Sequence, residues 1–168
     1  MAGPGIAAKV ALTAGLAATT TVATMLIQIP IAPTRGYLNF GDILVFTSAL
    51  LFGKFVGGLA GGIGSAMADI ITGYAYFSPY TLIIKGLEGF LAGAIRDGKS
   101  TRRDVVGWFV GAVVMVTGYF VVEAYVMAFG FPAALVEVPS NVIQVLSGAI
   151  IAIPLARGLR NRIPKILV

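Results

Sequence analysis

The sequence predicts an all-α integral membrane protein, a single domain over residues 1–168 with six transmembrane helices and both termini in the cytoplasm. Three observations lead there. The first is composition: 58% of the 168 residues are hydrophobic and 11% are charged, whereas an ordinary soluble domain carries about 25% charged residues. So few charged groups leave too little polar surface to solvate a globule of this size, and lipid must cover most of the exterior. The second is a series of apolar runs with short polar breaks between them. The third is that nearly all basic residues fall on one side of those runs.

The runs are Ala7–Gln28, Ile43–Phe52, Phe55–Thr72, Tyr80–Ile95, Val105–Ala128 and Asn141–Leu155. The first and fifth reach the ~20 residues that a helix needs to cross ~30 Å of hydrocarbon, whereas the second and fourth are short. The first run is full-length and lacks a basic leader or cleavage site, so it reads as a retained helix and not as a signal peptide. Lys9, Lys54, Arg96, Lys99, Arg102, Arg103, Arg157, Arg160, Arg162 and Lys165 all lie on one side of the spans; Arg35 lies on the other and Lys85 within the fourth. The excess of Lys and Arg in cytoplasmic loops therefore places both termini in the cytoplasm and the protein in the cell membrane. The net charge of +5 then reflects topology, not nucleic-acid binding.

Cysteine and histidine are both absent. Disulfides, thiolate and imidazole metal sites, and the commonest nucleophile–base pairs go with them, so the chain reads as a non-enzyme with no metal or cofactor. One motif argues otherwise. GAIRDGKS, Gly93–Ser100, fits the phosphate-loop pattern G-x-x-x-x-G-K-[ST], which works when a buried strand delivers the glycines and a soluble helix points its N–H groups at the phosphates. Here the glycines end a membrane helix and RDGKSTRRD reads as a tight cytoplasmic turn, so the match is accidental and any ATP hydrolysis belongs to another subunit.

Ionisable groups inside a bilayer cost at least ~2.5 kcal/mol each at its centre and call for a partner or a purpose. Asp42 opens the second span, Asp69 lies near the outer end of the third, Lys85 and Glu88 lie in the fourth, and Glu123 is near the outer end of the fifth; Asn141 and Gln144 start the sixth. All fall in the outer half of the membrane or near its middle, which describes an outward-facing pocket and not a through-pore. Each also has a structural reading. Lys85 and Glu88, at i and i+3, pair with each other or meet a ligand. Asp42 is an N-cap, and Asp69 bonds backbone near Thr72 and Gly73 or touches ligand. Glu123 faces Lys85 as a counter-ion, and Asn141 follows Pro139 as a helix start. Tyr37, Asn39, Tyr74 and Tyr76 lie on the same side, as an interfacial belt or as flat surfaces for a planar heterocycle.

Small residues at i and i+4 let helix backbones approach closely, which matters in lipid because burying apolar surface offers little drive there. Gly53, Gly57 and Gly61, then Gly58 and Gly62, Gly89 and Gly93, and Gly107 and Gly111 read as internal packing. On the first helix Ala7, Ala11 and Gly15 form one stripe and Ala14 and Ala18 a neighbouring one; a terminal helix has fewer neighbours, so this face is either packing or a docking surface.

The run TRGYLNFGDILVFTSALLFGKFVGGLAGGIGSAMADIITGYAYFSPYTLIIKGLEGFLAGAI, with the alanine-rich first helix and NVIQVLSG further on, resembles the substrate-binding S components of energy-coupling factor transporters, in particular the riboflavin-type or hydroxymethylpyrimidine-type group. The resemblance implies a six-helix protein that captures a vitamin or precursor near the outer face beneath a lid formed by the loop after the first helix. It implies docking, through Ala7, Ala11, Ala14, Gly15 and Ala18, on a transmembrane coupling subunit that carries two cytoplasmic ATPases. The expected ligand contacts are Tyr37, Asn39, Asp69, Tyr74, Tyr76, Lys85, Glu88, Glu123, Asn141 and Gln144. A stand-alone small-solute transporter or channel is the alternative, and it would take up solute without partner ATPases.

Overall fold

A computed structural model describes residues 5–163; Lys165, one of the basic residues read as cytoplasmic, lies outside them. The described chain holds six α-helices: α1 Ile6–Leu26, α2 Asp42–Phe52, α3 Lys54–Thr72, α4 Ser78–Ile95, α5 Thr101–Val121 and α6 Phe131–Arg160. A π-helical turn, Val122–Val126, prolongs α5. Four helical segments are long and apolar enough to cross a membrane: α1, α3, α5 with its π turn, and α6. The expected second span is different. At 11 residues, α2 is only about 16 Å long, half the hydrocarbon thickness.

A hairpin precedes α2, a small addition to the otherwise all-α architecture expected. Between α1 and α2 the chain forms two short antiparallel strands, β1 Ile29–Ile31 and β2 Gly36–Leu38, with Ile29 opposite Leu38 and Ile31 opposite Gly36. All of β2 is buried. Backbone that is not helical can lie among membrane helices only where protein satisfies its polar groups. The Gln144 side-chain oxygen accepts the Asn39 N–H at 3.1 Å and the Asn39 side chain accepts the Gly41 N–H at 2.8 Å, so the strand's exit is tied down.

α2 is the hub of the bundle. Val45 to Leu51 are all buried, as expected of a helix that is apolar all round. Phe46 and Ala49 pack with Ile84 and Ala92 of α4, Ala112 and Met115 of α5, and Val145 and Ala152 of α6. α3 lies beside it and presents glycine on three faces. A Cβ at Gly57 would stand 2.5 Å from the Cα of Ala49 in α2, one at Gly62 would stand 2.7 Å from the Leu82 carbonyl of α4, and one at Gly64 would stand 2.6 Å from the Ala17 carbonyl of α1. Gly93 of α4 meets Gly53 and Lys54, and Gly107 of α5 meets the Ala92 carbonyl. The glycine spacings thus serve contacts within the chain. Gly53, at φ +87°, also makes the one-residue turn from α2 to α3, a conformation costly to any residue with a Cβ.

At the basic end, charge closes the structure. α2 ends with buried carbonyls, and Arg96 from the end of α4 donates to those of Leu51 and Leu50 at 2.6 and 3.1 Å. Arg160 at the end of α6 pairs with Asp104 at 2.9 Å, and the Asp104 carboxylate is fully buried. Asp104 was expected in a tight turn; instead α5 begins at Thr101, because its carboxylate is needed beside Arg160.

α6 also starts ten residues earlier than Asn141, at Phe131, and runs on through Pro139. Proline forfeits one helical bond, but a helix held by its neighbours in a membrane tolerates that. The correction moves Asn141 from a helix start to the third turn of α6.

Two outcomes are expected. Asp104→Ala leaves the Arg160 guanidinium without its carboxylate and lowers stability by about 3 kcal/mol, read as a lower midpoint of thermal unfolding in detergent. Gly57→Val should prevent stable folding, while Gly15→Ala, where a Cβ meets no atom within 4 Å, should melt no lower than the parent.

Candidate functional site

The hairpin end of the bundle encloses a small polar cavity. Its walls come from every layer: Thr24 of α1, Gly36, Tyr37 and Asn39 of the hairpin segment, Ser65 and Asp69 of α3, Phe77, Thr81 and Lys85 from the start of α4, Met115 and Tyr119 of α5, and Glu137, Asn141 and Gln144 of α6. Its volume is about 30 Å³, room for roughly two waters. A ligand larger than this fits only when part of the wall moves.

Three hydrogen bonds latch the hairpin shut. The Tyr37 hydroxyl donates to Asp69 Oδ1 at 2.6 Å, the Thr34 hydroxyl donates to Glu137 Oε2, and the Asn39 N–H donates to Gln144 Oε1 at 3.1 Å. At the floor, Lys85 Nζ donates to Asp42 Oδ1 and lies 3.0 Å from Glu88 Oε2; all three side chains are almost wholly buried. Gln144 Nε2 reaches the same Asp42 oxygen at 3.1 Å. Asp42 is thus no N-cap: Gly41 holds that position, and the carboxylate turns inward because the buried Lys85 ammonium demands an anion. Lys85 finds its anions in Asp42 and Glu88, not in Glu123. Glu123 instead sits in the π turn beside Glu137.

Of the residues expected at the ligand, Tyr37, Asn39, Asp69, Lys85, Asn141 and Gln144 share the cavity wall. Glu88 lies behind Lys85 and Glu123 behind Glu137. Tyr74 packs on the Tyr37 ring with centroids 4.5 Å apart, and the Tyr76 hydroxyl donates to the Arg35 carbonyl at 2.6 Å, so both brace the hairpin from outside. Thr24, Ser65, Phe77, Thr81, Met115, Tyr119 and Glu137 were not expected there. Glu137 had a readable signal: Glu137, Asn141 and Gln144 stand at i, i+4 and i+7, one helix face, hidden only by reading Pro139 as a break. The Thr24 and Tyr119 positions depend on which helices neighbour which.

Three lining residues retain a buried polar atom with no protein partner: Thr24 Oγ1, Asp69 Oδ2 and Asn141 Nδ2. Buried polar atoms in a finished core are paired almost without exception; unpaired ones around a shared cavity suit a ligand. Phe77 and Tyr119, with ring centroids 6.5 Å apart, add flat apolar surface to that donor and acceptor set.

The small-residue stripe of α1 is unpacked. Ala7, Ala11, Ala14, Gly15 and Ala18 are all exposed, while Ala17, Thr20 and Thr24 face the bundle. The phosphate-loop match lacks its scaffold: Gly93 is inside α4, and the Lys99 and Ser100 N–H groups donate to the Asp97 carboxylate, both at 2.8 Å. Those donors are the ones a phosphate would need.

Lys85→Met should strand two buried carboxylates and cost about 3 to 5 kcal/mol of stability, read by thermal unfolding, with much of the loss recovered when Asp42→Asn and Glu88→Gln are added. Lys99→Ala should leave ligand affinity unchanged in calorimetric titration. The Ser100 and Lys99 N–H bonds hold the Asp97 carboxyl below its ordinary range. A depressed folded value means that the turn is anchored above the unfolded pKa of about 4 and released as pH falls through the lower folded value. Protection of the Lys99 and Ser100 amides, taken relative to the intrinsic exchange rate at each pH, should fall only in that acid range.

Comparison with known proteins agrees with this architecture. Residues 7–161 match the family described as ECF-type riboflavin transporter, S component. An uncharacterized protein of Pyrococcus woesei is 47% identical over 148 residues, which cover 88% of this chain and 98% of that one. The thiamine precursor transporter HmpT of Lactococcus lactis subsp. cremoris is 31% identical over 145 residues, 86% of this chain and 82% of the relative. In three dimensions the fold superimposes on a solved S component of a bacterial ECF transporter with a TM-score of 0.72 at 19% identity, covering 92% of this chain and 96% of the other. The chain belongs to the family of ECF-type riboflavin transporter S components.

Proposed function

We propose that this S component captures a water-soluble vitamin or vitamin precursor, riboflavin or a pyrimidine such as hydroxymethylpyrimidine, in the cavity beneath the hairpin. It then delivers the ligand by docking on a transmembrane coupling subunit with two ATPases. The observation that carries this reading is the set of unpartnered Thr24, Asp69 and Asn141 atoms around one cavity. Supporting it, the family is described by riboflavin and the Lactococcus relative by a thiamine precursor, and both ligands present a planar ring with polar edges.

The chain crosses the cell membrane with its basic end in the cytoplasm, as the distribution of Lys and Arg requires, and the hairpin then faces outward. All six helices are embedded, α2 as a half-length helix beneath the hairpin. Tyr37, Asn39, Asp69, Lys85, Asn141 and Gln144 bind the ligand directly, with Tyr74, Tyr76, Glu88 and Glu123 around them. Binding lifts the hairpin, because a cavity of about 30 Å³ holds no vitamin. The protein performs no chemistry on its cargo.

The exposed face of Ala7, Ala11, Ala14, Gly15 and Ala18 is the coupling surface: small residues permit close approach of a partner helix, and a bulky one holds the backbones apart. Native mass spectrometry of the detergent-purified chain should find a retained vitamin or precursor. In proteoliposomes, uptake should require the coupling subunit, its ATPases and ATP. Ala14→Trp should abolish that uptake while leaving the affinity of the isolated chain unchanged; uptake by the chain alone would favour a stand-alone transporter instead.

A further inference from the structure

Away from the capture cavity, α3 and α4 touch through glycine and leave a trough on their outward face. A Cβ at Gly58 would stand 3.0 Å from the Gly86 carbonyl, and one at Gly62 would stand 2.7 Å from that of Leu82. Larger side chains rise on both sides of this low floor: Phe55, Leu59 and Ile63 from α3, and Leu82, Leu87 and Phe90 from α4. The trough between them has a volume of about 530 Å³, within the range of about 300 to 1,000 Å³ usual for ligand pockets. Packing does not require glycine at position 86. A Cβ there would meet nothing nearer than the Gly58 carbonyl at 3.7 Å, so the missing side chain is open space in the floor.

The trough has a definite length and a charged end. From Phe55 to Ile63 it runs about 12 Å along α3, close to the ~15 Å of one leaflet in a hydrocarbon layer of ~30 Å. Its mouth lies at the basic end of the bundle, where Lys54 opens α3. The Lys54 ammonium stands 5.2 Å from the centre of the Phe55 ring and 5.7 Å from that of Phe90, so both walls hold it over the mouth. Among the described residues no carboxylate pairs with it.

A transmembrane helix of another protein would follow a groove through the full thickness of the membrane, and this one ends about halfway. A second copy is also a poor occupant. Two copies in one bilayer meet about an axis along its normal, which brings both Lys54 ammoniums to the same depth against each other. A single lipid chain matches the length and the apolar lining, and an anionic headgroup matches the cation. We propose that the trough is a binding site for one anionic phospholipid of the leaflet at the basic end, a chain lying over Gly58 and Gly86 and its phosphate on the Lys54 ammonium. The site is independent of the capture reading and needs only a bilayer around the chain.

The test titrates the full chain, purified in detergent, with dioleoyl phosphatidylglycerol or dioleoyl phosphatidylcholine, which share their chains and differ in net charge. Native mass spectrometry counts the retained lipid, and thermal unfolding reads the stabilisation that a bound ligand gives. The parent should retain one phosphatidylglycerol, melt higher with it, and hold phosphatidylcholine about fivefold more weakly, as for one lysine at a membrane surface. Lys54→Gln should abolish that preference, while Lys99→Gln, which removes the same charge from the turn after α4, should keep it. Gly86→Leu should fill the floor and lose both lipids, yet melt without lipid no lower than the parent, since leucine is the better helix former. Ile83→Trp, on the exposed wall, should narrow the trough and weaken lipid binding without touching the floor. Equal retention of the two lipids by the parent overturns the proposal. An equal loss of preference in Lys54→Gln and Lys99→Gln assigns it to net charge and overturns the site as well. Phosphatidylglycerol held undiminished by Gly86→Leu and Ile83→Trp overturns it too, because the lipid then lies elsewhere. A parent that elutes as a dimer, and as a monomer with either substitution, gives the trough to a second copy and also overturns the proposal.

Discussion

The buried ammonium of Lys85 is the group on which the hairpin half of this protein depends. A lone cation among membrane helices is expensive, and its two carboxylates come from different places: Glu88 from one turn further along α4, Asp42 from the first residue of α2. Binding Asp42 fixes where α2 begins, and so how deep the hairpin before it must reach. Gln144 joins the same oxygen and then accepts the Asn39 N–H. One charge thereby sets the relative position of α2, α4, α6 and the hairpin, and the cavity is what remains between them.

The two ends of the bundle solve opposite problems. At the basic end the helices must close against each other in a solvent that gives little hydrophobic drive, and they do so with glycine. Backbones meet at Gly57, Gly62, Gly93 and Gly107 so closely that no side chain fits between, and dispersion and carbonyl contacts hold them. Arg96 and Arg160 then satisfy the carbonyls that the short α2 leaves open. At the hairpin end the packing is by hydroxyls, carboxylates and aromatic rings, with polar atoms left over.

The hairpin is adaptable because its hold is specific but slender. It is a two-stranded element, which has little stability of its own, and it leans on Asp69, Glu137 and Gln144 through single hydrogen bonds. Each partner is also a wall of the cavity. In the capture proposed above, a ligand's own donors compete for the same acceptors, so opening the hairpin and filling the site are one exchange of hydrogen bonds, each costing and returning about a kilocalorie.

Composition alone determined the membrane class, and the placement of Lys and Arg its expected orientation, because lipid tolerates charge only at its boundaries. The apolar runs gave α1, α2, α3, α4 and α5 with its π turn to within a few residues, and the glycine spacings declared close helix contact. Family membership was also legible, in a run of residues from the hairpin through α4. What the chain order could not show was which ionisable groups meet. Asp42 read as a cap and Glu123 as the partner of Lys85, since local spacing cannot reveal that Asp42 and Lys85, forty-three positions apart, face one another. Pro139 concealed the first turns of α6 and with them Glu137, because the local cost of proline is offset there by neighbours that only the folded bundle supplies. The hairpin, too, belongs to tertiary structure: its backbone is satisfied by the pairing of its strands, by Gln144 at the Asn39 N–H and by Tyr76 at the Arg35 carbonyl, while Asp69 and Glu137 hold its side chains.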